Sequence, residues 1–235
     1  FFNAQNKGDF FIGPLFGINF VTSGGSGIDS VNQYFIDYSQ TFSDIDGVNG
    51  SGGIENRNLL NFGLFIDYYF LNNIAFYSSL SYSQKGFIIS EETSITTGYN
   101  YQIDLERKIN LNYITLPLLI KYHFKNGIQL FGGYSLNYCE YDAVISQTTE
   151  NYETLDTISG NIVTIIENSS SRDDYADSFG SDANTLTTGY QFGISYALKR
   201  FNFSFRIDNT SSFGKINDSK NNYNRTLQFC TGVNF

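Results

Sequence analysis

Asp67, Lys85, Lys121, His123, Arg206 and Asp208 are the ionisable side chains that could do chemistry in this chain. Each sits in a run of alternating residues, on the opposite parity from the apolar ones. Such a set could move protons, line an ion path or hold a small polar ligand. The spacing narrows the choice. His123 is the single histidine, and with neither cysteine near it the usual tetrahedral zinc set is out of reach. No Gly-x-Ser-x-Gly elbow and no phosphate loop is present, and one histidine placed away from the long connections cannot complete a nucleophilic triad. No enzyme and no cofactor is expected.

Two acidic groups invite a calcium reading. Asp44, Asp46, Gly50 and Glu55 echo a twelve-residue calcium loop, but Val48 stands at the fifth position and Asn49 where a glycine is required. Asp173, Asp174, Asp177 and Asp182 lie in a Ser/Gly-rich stretch. Both are expected to be solvated surface, with weak divalent-cation binding as the alternative. Nucleic acid is not an expected partner, because the net charge is −9 with only 14 Lys+Arg. Cys139 and Cys230 fall on the polar faces of separate segments and read as isolated thiols.

The elements that must position these residues are strands. The 235 residues hold 23 Phe and 18 Tyr with 2 Pro, a composition suited to pleated, half-greasy strands. No apolar run approaches the roughly 18 residues of a membrane-spanning helix. Mean hydropathy is −0.23, as expected where apolar positions are hidden by alternation. The last segment shows the pattern best: Tyr223, Leu227, Phe229, Val233 and Phe235 on one face, Asn224, Thr226, Gln228, Cys230 and Gly232 on the other. Phe229, Val233 and the terminal Phe235 read as an assembly signal of an outer-membrane β-barrel.

Eight such segments are expected, over about 9–22, 58–71, 74–85, 109–124, 128–141, 185–198, 201–208 and 223–235. Their apolar parity faces out; Asp67, Lys85, Lys121, His123, Arg206 and Asp208 face in. A bulge is expected at Pro117, which lacks a ladder donor, and His123, near a short turn, is expected at the interface. Asn72-Asn73, 125–127 and Lys199-Arg200 are short connections; 23–57, 86–108, 142–184 and 211–222 are long. Short turns on one side and long loops on the other fit an up-and-down antiparallel transmembrane barrel of eight strands, with both termini periplasmic and the long loops extracellular. Ala143-Val144-Ile145 and 162–166 could form a projecting hairpin, and Tyr34, Phe35, Ile36 and Tyr38 give the first loop similar apolar content.

An interior this narrow is filled by side chains, so its charges are expected to pair as a structural plug, a gated ion path or ligand site being the alternative. Residues 1–8 read as a signal-peptide remnant or tail, with cleavage after Ala4 or upstream, and 9–235 as one barrel domain.

Tyr82-Ser83-Gln84-Lys85-Gly86, the stretch Leu111-Asn112-Tyr113-Ile114-Thr115-Leu116-Pro117-Leu118-Leu119-Ile120-Lys121-Tyr122 and Phe131-Gly132-Gly133-Tyr134 resemble the PorT-like outer-membrane β-barrel family. The likeness covers the frame, roughly 9–141 and 185–235. It implies a barrel in the outer membrane of a Gram-negative cell, inserted by the barrel-assembly machinery, and specifies no activity. Name-giving members are linked to protein secretion. A non-enzymatic structural or protein-interaction role is therefore expected, alone or as an accessory subunit of an outer-membrane complex. A small-solute channel and a soluble secreted lipid-binding barrel are the alternatives, the latter opposed by greasy residues that face outward. Gly132, outward between Leu130 and Tyr134, is the one hint of a flat docking patch.

Overall fold

Strict alternation on both sides of a hairpin leaves each strand one apolar and one polar face, and closing the sheet removes its edges. The structure, a computed structural model, describes residues 6–43, 48–96, 100–155, 162–174, 186–210 and 222–235. In chain order come β1 (Phe10–Gly25), α1 (Ser26–Ser43), β2 (Val48–Leu71), β3 (Ile74–Ile95), β4 (Tyr101–His123), β5 (Ile128–Leu155), β6 (Ile162–Asp174), β7 (Leu186–Leu198), β8 (Phe201–Thr210) and β9 (Asn222–Val233). Every pairing is antiparallel. Successive neighbours β1-β2-β3-β4-β5-β7-β8-β9 return to β1, so the sheet is a closed ring.

The ring's stagger can be read from its register. A row of directly paired residues starts at Ile12 and runs through Ile66, Ser78, Leu118, Tyr134, Tyr190, Asn209 and Arg225. It returns to β1 at Thr22, ten residues above Ile12. A shear of that size tilts the strands by roughly 40° and leaves an interior that side chains fill. Each residue then gains roughly 2.5 Å of height.

Outside, Phe10, Phe16, Leu60, Leu64, Leu80, Ile120, Phe192, Phe205 and Phe229 are all exposed, as a lipid-facing belt requires. Inside, Asn61, Ser81, Ser83, Thr115, Ser135, Asn137, Gln191, Ser204, Thr226 and Gln228 are buried. A soluble lipid carrier would show the reverse.

Strand lengths divide the ring into a tall and a short wall. β2, β3, β4 and β5 have 24, 22, 23 and 28 residues; β7, β8 and β9 have 13, 10 and 12. The tall strands stay paired above the short wall, and β6 adds to the upper part of β5 as a ninth strand outside the ring, from Ala143 opposite Asp174 to Leu155 opposite Ile162. This is the projecting hairpin, although its return leg is a strand of its own.

Three expectations are thereby corrected. The strands number nine among the described residues: eight close the ring, and the ninth, β6, expected as loop, stands outside it. Much of the expected loops is regular structure: 23–57 contains α1 and the start of β2, 86–108 the tops of β3 and β4, and 142–184 the top of β5 and all of β6. Pro117 causes no bulge, since Ser78–Leu118 and Ser81–Thr115 keep one register past it and Pro117 itself pairs Ser135. The register shifts lie elsewhere, between Asn56 and Asn61 and between Tyr69 and Leu71 on β2, and on β5 beside Asn112/Tyr113.

Candidate functional site

The inward parity stacks the lumen in layers. At its lower mouth, Tyr69, His123 and Gln129 meet: the Gln129 Nε2 donates to His123 Nδ1 at 3.1 Å, the Tyr69 hydroxyl stands 3.2 Å from the same nitrogen, and Ser195 Oγ donates to Gln129 Oε1 at 2.7 Å. His123 is 6% exposed, so it lies inside the barrel and not at the interface. The inward parity of β4 simply runs to the end of the strand while β2 and β5 still wall it.

Above this layer, Lys121 Nζ pairs with Asp67 Oδ2 at 2.5 Å and lies 4.4 Å from the centre of the Tyr77 ring. Arg206 is the odd member. Its Nη2 donates to the Tyr77 hydroxyl at 2.6 Å and its Nε to Ser204 Oγ at 3.1 Å. The guanidinium sits 4.9 Å from the Tyr77 ring centre and 5.4 Å from that of Phe131. Among the described residues no carboxylate is within ion-pair reach of it, so aromatic faces take that place. Leu15, Phe65, Leu119, Phe131 and the free thiol of Cys230 pack around Tyr77 as an apolar belt.

A second pair lies higher: Lys85 Nζ to Asp208 Oδ2 at 2.9 Å and to Thr210 Oγ1 at 2.7 Å, with the Tyr113 ring centre 5.0 Å away. Both partners are fully buried. Asn19 beside them donates to Ser83 Oγ at 3.0 Å and to the Gln84 carbonyl at 2.8 Å. Ile28 and Phe35 of α1 then pack on Phe87, Ile89, Ile109, Leu111 and Tyr113 as an apolar cap.

The lumen is thus a plug in construction. Three cations, Lys85, Lys121 and Arg206, face two carboxylates, Asp67 and Asp208. The cavities beside Arg206 measure about 10 Å³ each, room for roughly one water. A polar network of this density can hold the ring rigid.

The remaining sequence candidates scatter. Glu55 is exposed on β2 opposite Ile88, and extended backbone from Val48 onward removes the loop that a calcium site spanning 44–55 would need. Asp44, Asp46, Asp177, Asp182 and the expected cleavage after Ala4 lie outside the described residues. Asp173 and Asp174 end β6 opposite Val144 and Ala143, their side chains undescribed, as is that of Cys139. Among the described residues no three His, Cys, Asp or Glu side chains cluster as metal ligands. Phe229 and Phe235 project outward, 51% and 75% exposed, and the Phe235 amide donates to the Ile12 carbonyl.

Sequence reasoning placed Tyr113 inward but missed the inward aromatics Phe65, Tyr69, Tyr77 and Phe131, which with it shield the charges. The available signal was a ring on the polar parity, opposite a glycine on a neighbouring strand: Gly193 pairs Phe131, and a Cβ there would stand 2.7 Å from its ring. It also missed that α1 is a helix.

A comparison with curated proteins found no relative. Among solved structures the chain is similar to the attachment invasion locus protein Ail of Yersinia pestis, at 11% identity over 97% of this chain and 99% of that one, TM-score 0.39. It is also similar to Neisserial surface protein A (10%, covering 96% and 97%, TM-score 0.34) and to OprG from Pseudomonas aeruginosa (12%, covering 99% and 98%, TM-score 0.32). These likenesses are too slight to build on. The family match is the stronger finding: residues 3–218 fit the outer membrane protein beta-barrel domain. Together with the outward apolar belt and the closed antiparallel ring, it makes this an outer-membrane protein. The chain belongs to the outer membrane protein beta-barrel domain family.

Proposed function

We propose that this chain is a sealed membrane anchor that presents its tall sheet outside the cell, as a structural or protein-interaction element without enzymatic activity. One observation carries the reading. The part that fits a bilayer is plugged by buried ion pairs and aromatic rings, while β2 to β5, with β6, continue as a paired sheet well beyond it. At roughly 2.5 Å of height per residue, the 24 residues of β2 climb about 60 Å against about 30 Å of hydrocarbon. A pore would invest its length in a lumen; this chain invests it in an exposed sheet.

On this reading the short turns and both termini are periplasmic, Phe229, Val233 and Phe235 serve as the assembly signal, and the partners are outer-membrane lipid, the assembly machinery during insertion and other outer-membrane proteins. The PorT-like resemblance supports a place as an accessory subunit of a secretion or assembly complex. The test is to extract the native protein in mild detergent, size it and identify what co-migrates. A stoichiometric partner is expected; a lone chain in detergent would sink the subunit reading. The water-sized cavities tell against the small-solute channel.

A further inference from the structure

The short wall carries a polar site on its otherwise greasy outer face. Tyr134, Tyr190, Asn209 and Arg225 pair in one row across β5, β7, β8 and β9. With Thr188 and Tyr223, the first three line an open groove of about 330 Å³, in the size range of small-molecule sites. Tyr134 is 74% exposed and Tyr190 50%, so their rings stand out as walls and not as packing. The Asn209 amide donates to the Tyr190 hydroxyl at 2.5 Å, whereas the buried Asn209 Oδ1 has no partner.

Arg225 completes the site. It is exposed, directly opposite Asn209 and two residues from Tyr223 on the same face, and it makes no ion pair among the described residues. The other outward residues of β1, β7, β8 and β9 are uncharged. Ten residues above Phe235 it stands about 25 Å up the barrel, at the upper edge of a hydrocarbon band of similar height. At that depth an outward guanidinium costs little in itself, and it stands at the level of the leaflet's phosphates, whose geometry matches its fork.

We propose that this groove holds a phosphorylated glycolipid of the outer leaflet. An acyl chain lies between the tyrosine rings and the phosphate engages Arg225. The assignment rests on the reading that the tall end faces outward. The purified full chain in detergent is mixed with lipid A, with its dephosphorylated form and with phosphatidylethanolamine, and retained lipid is counted by native mass spectrometry. Wild type is expected to keep one lipid A in preference to the other two, and Arg225→Gln to weaken that retention about tenfold, equivalent to about 1.4 kcal/mol. Tyr134→Ala should weaken the phosphorylated and dephosphorylated forms alike. Equal retention by Arg225→Gln, or equal retention of the dephosphorylated form by wild type, overturns the site. Labelling of Ile166→Cys on intact cells by an impermeant maleimide tests the orientation separately. Labelling only after permeabilisation would remove that premise whatever lipid is bound.

Discussion

The tall wall and the short wall obey different rules although they share one sheet. Within the bilayer, exposure alternates almost residue by residue: β7 and β8 switch between exposed and buried along nearly their whole length. Above it the alternation fades, and the first six residues of β4, Tyr101–Glu106, are all half-buried. The solvent is the reason. Lipid outside and a packed lumen inside reward opposite residue types on the two faces, whereas a sheet standing in water is wet on one face and covered by α1 over only part of the other. The ion pairs differ in the same way. Lys85–Asp208 and Lys121–Asp67 are buried, while Lys108–Glu106 on the upper β4 has both partners 34% and 41% exposed.

The sharpest way to break this contrast is to orphan a lumen charge. Asp67→Ala should cost about 3–5 kcal/mol, because it leaves Lys121 buried beside the already unpaired Arg206. It would show as lost heat resistance of the folded band on a gel. Asp67→Leu with Lys121→Met together should recover most of the loss. Lys108→Ala, the counterpart outside the bilayer, should change heat resistance by less than about 1 kcal/mol. Equal losses from Asp67→Ala and Lys108→Ala would end the distinction between plug and sheet.

A second test separates the two regions mechanically. Phe35→Ala empties the centre of the cap that α1 forms on Phe87, Ile89 and Ile109, a loss of about 3 kcal/mol or more by the usual cost of such a truncation. The damage should be confined to the upper sheet: faster proteolysis above the bilayer, with the heat resistance of the ring kept. Simultaneous loss of both would mean that sheet and ring unfold as one.

Two adjacent glycines give a finer comparison. A Cβ on Gly133, on the inward face, would stand 2.2 Å from the Leu118 carbonyl oxygen, whereas one on outward Gly132 would meet nothing nearer than 3.7 Å. Gly133→Ala should therefore lower heat resistance clearly and Gly132→Ala should leave it unchanged. The smallest effect belongs to the hairpin. Tyr152 donates to Glu167 Oε1 at 2.9 Å across β5 and β6, and that bond raises the tyrosine above its ordinary value. A raised value means the contact is fully present below about pH 10 and is lost as pH climbs through the folded value. Ultraviolet titration of Glu167→Gln should show one tyrosine ionising earlier than in wild type.

The same contrast explains what was legible in the sequence. The bilayer halves of the ring strands announce themselves, and so do the inward charges, because alternation there is enforced on both sides. The upper halves do not. On β2 an extra residue between Asn56 and Asn61 flips the faces, so that Ile54 and Gly52 turn inward toward α1 and the apolar parity of Leu60 to Phe70 breaks at about Asn58. On β5 the skipped residue is Glu140, between Cys139 and Tyr141, just where the expected strand ended. Polar runs such as 146–151 carry no periodicity for a reader to follow, and only the ladder with β4 and β6 holds them extended. The helix was hidden for a related reason, since only Ile28 and Phe35 of its described side chains are buried. Which cation would pair with which carboxylate depended on the shear of the ring, and no single strand encodes that.

On the proposed reading β3 leaves the membrane part-way along its length and continues outside as an ordered strand. Single cysteines at Leu80, Gln84, Ile88 and Glu92, with Cys139 and Cys230 replaced by serine, sample its outward face at even intervals. An impermeant maleimide applied to intact cells should label positions 88 and 92 and leave 80 untouched, with 84 at the boundary. Labelling at position 80 as strong as at 92, or none at any position until the cells are opened, would rule out an exposed upper β3.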